Sequence, residues 1–329
     1  MLEREIFDFY ILKNMNKERV LIFGAGQIGS FYNDFFREND IESQVVKTDI
    51  TNQVDLLKVV KDYKPTVVIN TAAKTNLEWC DKNREEAFIV NVLGADNLAK
   101  ICDKEKIYFI HISSGCIFES DNENDQKKEN DIPNPKAYYA LTKVWSEQLI
   151  TFGKSSDFKC LILRPRQPIS AQVNHRNQLV KFLTFVKFID VYNTCTVLED
   201  LMEWTKILID KRVCGILHVA NEGWITPYEV ALNLKKYILP DLKIEKIDKE
   251  ELNKLTPNRR VDTVLDVEKL KSLGVEVKTC KERLIEIVKD LKNNIDNCSR
   301  DILKKELEIT VNQSKERTIV NSVWSSLIN

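Results

Sequence analysis

The sequence predicts a doubly wound parallel α/β sheet followed by a smaller lobe. Three observations lead there: short aliphatic runs alternate with longer amphipathic stretches, a glycine turn follows the first run directly, and the rhythm changes after about residue 165. The runs are Arg19 to Phe23 (RVLIF), Thr66 to Asn70 (TVVIN), Ile107 to Ile112 (IYFIHI), Cys160 to Leu163 (CLIL) and Gly215 to Val219 (GILHV). A strand covered by helices on both faces meets water on neither, so it reads as an unbroken apolar run, and the helical stretches between runs imply right-handed parallel crossovers. The weaker run Gln44 to Lys47 supplies the second strand.

Past residue 165, Pro165, Pro168, Pro227, Pro240 and Pro257 punctuate helical segments such as TPYEVALNLKKYI. This suits a lobe over the carboxyl edge of the sheet, where ligands bind in such folds. The expected division is an N-terminal extension over 1–18, a Rossmann-type dinucleotide-binding domain over 19–165 with a returning strand near 215–219, a mainly substrate-binding lobe over 166–292, and a tail over 293–329. The tail is polar with scattered apolar residues and no clear period; an extra helix, an oligomer contact and disorder all stay open. No internal repeat is evident.

Composition limits the partners. A chain of 329 residues with 43% apolar and 30% charged residues has the make-up of a water-soluble globular protein. Its 49 Lys+Arg nearly cancel 50 Asp+Glu, so no global field draws it to nucleic acid or an anionic membrane, and a small molecule is the better expectation. No apolar run approaches the roughly 18 residues needed to span a bilayer. The opening MLEREIFDFY carries acids where a signal peptide needs a basic flank, so a cytoplasmic location is expected. Eight cysteines are scattered without a CxxC pair or a neighbouring histidine at ligand spacing, which argues against a disulfide framework and against a metal. The oligomeric state is left open, with a homodimer as one option.

GAGQIG, Gly24 to Gly29, stands between the first strand and a helical pattern. Glycines there permit a tight turn and close approach of a pyrophosphate, and the helix N-terminus offers free N–H groups to it. Gly24, Gly26, Gln27, Ile28 and Gly29 are therefore cofactor candidates, as are Asp49 and Ile50 some twenty residues on. Lys47 could meet a 2′-phosphate, so NADPH is expected and NADH is not set aside. Ala72 and Ala73, small residues ending TVVINTAA, suit the adenine side of the cofactor.

Tyr139 and Lys143, in YALTK, share a helix face at i and i+4. An ammonium beside a phenol favours phenolate and would lower the tyrosine's pKa toward the range useful for proton exchange with a carbonyl oxygen. SSGCIFES, residues 113–120, ends the third strong strand with two hydroxyls and a cysteine, and Cys116 can be either a core filler or a proton carrier.

The order glycine loop, Ser, then YxxxK resembles the extended short-chain dehydrogenase/reductases. That resemblance implies that Ser114 and Tyr139 hold a substrate carbonyl oxygen while Lys143 supports the tyrosine and the nicotinamide ribose, with Asn91 near the site. Within that superfamily the chain looks most like the dTDP-4-dehydrorhamnose reductase group. More narrowly it is similar to plant-type bifunctional UDP-4-keto-6-deoxyglucose 3,5-epimerase/4-reductases of UDP-rhamnose synthesis. The segments carrying this include NTAAKTNLEWCDKNREEAFIVNVLGADNLAKIC (70–102), GCIFESD (115–121), KENDIPNPKAYYALTK (128–143), LRPRQPIS (163–170), HRNQLVKF (175–182), TVLEDL (196–201) and NRRVDTVLDVEKL (258–270).

The resemblance gives Cys116 a partner: it implies that a cysteine here and a base at Lys181 move protons at C3 and C5. A C4 ketone acidifies the C–H bonds on both sides, and inversion needs a proton removed from one face and returned on the other. His175 is a competing proton carrier nearby. Arg166, Asn174, Arg176, Asn177 and Arg260 are candidates for sugar hydroxyls or a diphosphate, since arginine's fork suits phosphate oxygens. Trp79 and Trp224 could wall the sugar site.

The resemblance thus implies a nucleotide (UDP or dTDP) 4-keto-6-deoxyhexose as substrate and a nucleotide-rhamnose as product. A reductase without epimerase activity is one alternative. A non-catalytic regulatory subunit is the other, since the β subunit of methionine adenosyltransferase resembles the same reductases. Two departures stand out: the glycine loop is one residue shorter than the group's GxxGxxG, which bears on Gly24, and Ser114 replaces the threonine of the plant enzymes.

Overall fold

The computed structural model describes residues 18–255, 261–314 and 327. Six strands form one sheet: β1 (Arg19–Phe23), β2 (Glu42–Val46), β3 (Val67–Asn70), β4 (Tyr108–Ile112), β5 (Cys160–Arg164) and β6 (Gly215–His218). Their spatial order is β6-β5-β4-β3-β1-β2, and each neighbouring pair is parallel. The chain runs outward from β1 to β2 and then crosses back to β3, so the order reverses at β1. A ligand crevice is expected there, beyond the carboxyl ends of β1 and β3.

The apolar runs form strands because both faces are covered. Val20, Leu21, Ile22 and Phe23 are inaccessible to solvent, as are Val67, Val68 and Ile69. On one face pack α1 (Gln27–Glu38) and a later helix, Leu198–Asp210, through Phe31, Tyr32, Phe36, Leu201 and Leu208. The other face carries α2 (Gln53–Tyr63), α3 (Ala95–Glu105) and α4 (Tyr138–Thr151), through Leu56, Val60, Leu98, Cys102 and Ile150. The edge strand β2 alternates instead, with Glu42 and Gln44 exposed around buried Ser43, which is why its run reads weakly.

Before α3 the chain makes one wide π turn, Ile89–Gly94. Such turns gather at functional sites. A side chain at Gly94 would meet Ile50 at 2.6 Å, so glycine lets this turn rest against the loop that follows β2.

A separate apolar core is built from α5 (Gln178–Phe182), α6 (Pro227–Tyr237), α7 (Cys280–Asn297) and α8 (Arg300–Ser314). Helices α6 and α7 both begin with capping boxes, Thr226 with Glu229 and Thr279 with Glu282, and Pro227 follows the first of these caps. Thus the tail read as aperiodic contains the end of α7 and the whole of α8. No helix among the described residues is long and apolar enough to cross a membrane.

Candidate active site

The glycine turn is set by backbone proximity. Gly24 has φ +102°, and a Cβ there would lie 2.6 Å from the Ala72 amide nitrogen; at Gly29 it would lie 1.9 Å from the Gly24 carbonyl. Both positions exclude a side chain, so the shortened loop keeps its first glycine for a reason of its own: close passage of the β1 turn over the β3 turn. At Gly26 a Cβ would meet nothing within 4 Å.

That open space faces the start of α1, which has no side-chain cap and no acid in its first turn, leaving its N–H groups for an anion. Gln27 adds a buried Nε2 with no hydrogen-bond partner. These features fit a dinucleotide pyrophosphate. Ile28 packs on the sheet core. The Ala72 amide donates to Asn70 Oδ1 at 3.0 Å, with Ala73 next in the turn. Asp49 is exposed, and Thr51 donates to it from amide and hydroxyl at 2.9 and 2.8 Å, holding its carboxyl below the usual range.

Ile50, expected at the cofactor, and Asn91, expected near the site, are both tied into the scaffold. The Ile50 side chain is buried under Gly94, and its carbonyl accepts from Asn97 Nδ2 at 3.2 Å. Asn91, on the π turn, accepts from the Lys74 amide at 2.7 Å and donates to the Lys74 carbonyl and Thr142 Oγ1, both at 3.0 Å. It fastens the loop after β3 to α4.

Two buried polar chains aim α4 at the strand ends. In the first, Asn70 Nδ2 donates to His111 Nδ1 at 3.2 Å. His111 Nε2 then donates to Ser146 Oγ at 3.3 Å, and that hydroxyl donates to the Lys143 carbonyl at 2.8 Å. Burial holds His111 well below its ordinary pKa, assisted by the Lys143 charge, so it is the neutral tautomer these bonds require.

In the second, Glu147 accepts from Ser113 Oγ and from Arg164 at 2.9 and 2.6 Å. Arg164 also meets the Glu129 carbonyl at 3.1 Å and His218 Nε2 at 3.4 Å, while His218 Nδ1 donates to the Asp266 carbonyl at 3.1 Å. Sequence reasoning missed Asn70, His111, Ser146, Glu147 and Arg164. For Asn70, His111 and Arg164 the available signal was a polar residue at or next to the carboxyl end of an otherwise apolar strand; Ser146 and Glu147, on α4, carried no such signal.

Ser114, Cys116, Tyr139 and Lys143 come together above this framework. Ser114 caps a short turn, Gly115–Ile117, accepting from the Cys116 amide at 3.2 Å and donating to Cys116 Sγ at 3.0 Å. Ser114 also faces Tyr139 and favours its phenolate form. Lys143 Nζ lies 6.0 Å from the Tyr139 ring centroid and donates to the Ile112 carbonyl at 2.9 Å.

Burial pulls the Lys143 pKa down to about 8. The expected lowering of the Tyr139 pKa is not observed: burial and the neighbouring Cys116 raise it, against the Ser114 bond and Arg166. The ammonium is spent on Ile112 and the phenol keeps its proton. Burial likewise raises the Cys116 thiol, opposed by Arg166, Ser114 and Lys143.

Cys116 and Lys181 line one cavity of about 480 Å³, together with Gln27, Arg166, Arg176 and Lys187. The far wall is apolar, with Phe185, Phe188, Ile189 and Val191. Arg166 donates to Asn193 Oδ1 and, at 2.6 Å, to the Val261 carbonyl. Lys187, paired with Glu251, was not anticipated.

Other candidates shape the loop rather than the cavity. Asn174 Oδ1 accepts from the Arg176 amide at 2.8 Å. Asn177 is inaccessible, caps α5, and donates to the carbonyls of Ser170 and Gln172 at 2.7 and 2.9 Å. His175 is bonded to Glu306. Trp79 and Trp224 sit under Lys74 and Lys281, each 4.7 Å from the ring centroid, and neither lines the cavity. Arg260 lies outside the described residues.

Comparison with known proteins gives consistent relatives. Residues 18–293 match the family of the RmlD substrate binding domain. A trifunctional UDP-glucose 4,6-dehydratase/UDP-4-keto-6-deoxy-D-glucose 3,5-epimerase/UDP-4-keto-L-rhamnose-reductase of Arabidopsis thaliana is 30% identical over 278 residues, which are 81% of this chain and 41% of that protein. The chain thus spans about two fifths of that relative's length. A bifunctional dTDP-4-dehydrorhamnose 3,5-epimerase/dTDP-4-dehydrorhamnose reductase of the same plant is 29% identical, covering 82% of this chain and 91% of its own. Among solved structures, a UDP-rhamnose synthase from Acanthamoeba polyphaga mimivirus superposes with TM-score 0.77 at 23% identity, over 84% of this chain and all of that one.

Proposed function

The chain belongs to the RmlD substrate binding domain family, and on that premise we propose that it is an NAD(P)H-dependent nucleotide-sugar 4-reductase of rhamnose synthesis that also epimerises its substrate at C3 and C5. The substrate is a UDP- or dTDP-linked 4-keto-6-deoxyglucose and the product a nucleotide-L-rhamnose. One observation carries the reading: Ser114 donates to Cys116 Sγ and favours the phenolate of Tyr139, so the two share one neighbour, and Cys116 shares a cavity wall with Lys181. The bifunctional plant relative, nearly all of whose length is covered, supports it.

The nicotinamide, when bound, supplies the hydride, with its pyrophosphate held by the turn of Gly24, Gly26 and Gly29 before α1. Tyr139, protonated at rest, gives its proton to the C4 oxygen, and Ser114 orients that oxygen. Lys143, largely charged at neutral pH, stabilises the phenolate left behind and the ribose hydroxyls beside it. Before reduction, the C4 ketone acidifies C3 and C5, and Cys116 and Lys181 exchange protons with those carbons from opposite faces of the ring. Arg166 and Arg176 offer cationic forks to the diphosphate.

The test supplies the purified full chain with either nucleotide 4-keto-6-deoxyglucose and NADPH in deuterated water. Deuterium at C3 and C5 of a rhamnose product is expected. Reduction without label reduces the assignment to a 4-reductase fed by a separate epimerase. Nucleotide-dependent binding to another enzyme with no turnover would replace it by a regulatory role. Cys116→Ala is expected to abolish label uptake and leave reduction of an already epimerised substrate within a few-fold, and equal loss of both would make the cysteine structural.

A further inference from the structure

Helix α8 (Arg300–Ser314) lies beyond the residues that match the family, 18–293, yet it packs on the short helix that carries Lys181. Its buried face is regular: Leu303, Leu307 and Thr310 are 3%, 0% and 1% exposed, with Glu306 among them. Leu303 and Leu307 share one core with Leu179, Val180, Phe182 and Leu183.

Glu306 makes the polar contact of that face. One oxygen, Oε2, accepts from the His175 main-chain amide and from His175 Nδ1, both at 2.7 Å. Burial alone would raise the Glu306 pKa, but the two His175 bonds and the imidazole's charge outweigh it and hold the carboxyl below its usual range. From the preceding helix α7, Asn294 Nδ2 donates to the Ala171 carbonyl at 2.9 Å and ties the start of the same loop.

The loop needs such ties. Helix α5 has five residues, too few to hold its place by its own hydrogen bonds, and Arg176 and Lys181 must face the cavity from its two ends. The Asn177 cap fixes the loop internally but not its position against the rest of the molecule. The apolar face of α5 seats it in the core, and Glu306 adds a polar grip on the peptide next to Arg176.

We propose that α8, beyond the family-matched residues, is a brace, and that Glu306 is a positioning residue that holds Arg176 and Lys181 at the cavity wall for the proton transfers at C3 and C5. The part concerning proton transfer rests on the function proposed above; the brace itself does not.

The experiment uses the full chain with Glu306→Ala and Glu306→Gln. In hydrogen exchange read by mass spectrometry, Glu306→Ala is expected to speed exchange of the amides of residues 175–182 about tenfold or more while those of the sheet strands stay unchanged. In deuterated water with the keto sugar, label uptake at C3 and C5 is expected to fall about tenfold to a hundredfold, the scale of a small misplacement. The kcat for reduction of an epimerised substrate should change less than about twofold, with any loss of the Arg176 contact to the diphosphate appearing in KM. Glu306→Gln keeps an acceptor oxygen and should recover most of the label uptake.

Exchange that rises throughout the sheet, or nowhere, overturns the brace, and equal loss of labelling and reduction overturns the positioning role. The exchange measurement needs no substrate. A wild-type chain that takes up no label would therefore overturn the epimerase reading, while the exchange result would still decide for or against the brace.

Discussion

The two halves of the candidate site are mounted differently. Tyr139 and Lys143 ride on a helix of fourteen residues, tied to strand ends by the Asn70–His111–Ser146 chain and the Ser113–Glu147–Arg164 cluster. Lys181 rides on five residues at the end of a loop, held by an asparagine cap and a carboxylate from another helix. The proposed chemistry explains the contrast. Reduction transfers one proton to one oxygen beside a fixed ring and rewards a rigid mount, whereas the proposed epimerisation serves two carbons from one cavity with a base on a short helix that has to be braced from outside.

The largest way to break this comparison is Tyr139→Phe. It should lower reduction of an epimerised substrate by about 10²–10⁴-fold, the usual worth of a general acid, and leave label uptake at C3 and C5. Steady-state reduction and mass spectrometry of the sugar check it; parallel losses would mean the halves are one unit.

Next is Glu147→Ala. It strands a buried guanidinium and should cost about 3–5 kcal/mol in denaturant unfolding. Glu306→Ala, at a partly exposed contact, should cost about 1 kcal/mol. Equal costs would remove the distinction between the two mounts.

Acid should find the rigid half first. His218 is neutral in the fold with a pKa of about 4, pushed down by burial and then by Arg164. An unfolded histidine titrates near 6.5, so the unfolded chain binds the extra proton between those values. The stability that depends on neutral His218 is present above about pH 6.5 and is lost as pH falls toward 4, by up to about 3 kcal/mol. Unfolding curves of wild type and His218→Asn across that window should diverge in slope; parallel curves would exclude His218 as the source.

The smallest effect on the fold, though not on binding, should come from Gly26→Ala. Its Cβ meets no protein atom, so the unfolding midpoint should shift by less than about 1 kcal/mol while NADPH affinity falls. Gly24→Ala should instead destabilise the apo chain, because φ is +102° and Ala72 blocks the side chain. The reverse ranking would mean that the open space at Gly26 is not the pyrophosphate site.

Much of the rigid half was legible because its signals are local. Aliphatic runs marked the buried strands within a residue or two, the glycine turn sat between strand and helix, and the i, i+4 spacing placed Tyr139 beside Lys143. The ties beneath were not legible, since His111, Glu147 and Arg164 meet only across three elements and each reads alone as an ordinary polar residue. The ties that Ile50 and Asn91 make to the scaffold were not legible either, because a residue beside a turn looks the same whether it faces the ligand or the core. The brace was hidden in a tail whose Lys and Glu residues interrupt the spacing of Leu303, Leu307 and Thr310. Lys181 came to notice through resemblance, as nothing in the spacing of RNQLVKF distinguishes a cavity lysine from a solvated one.

The Ser114 hydroxyl has one hydrogen and two neighbours, Cys116 Sγ, to which it donates, and Tyr139, whose phenolate it favours. It can turn toward only one at a time. The side chain therefore acts as a rotor: pointed at sulfur it steadies a thiolate, and pointed at the phenol oxygen it steadies a phenolate. On the function proposed above, that one hydrogen would serve the thiol in epimerisation and the phenol in reduction, one after the other.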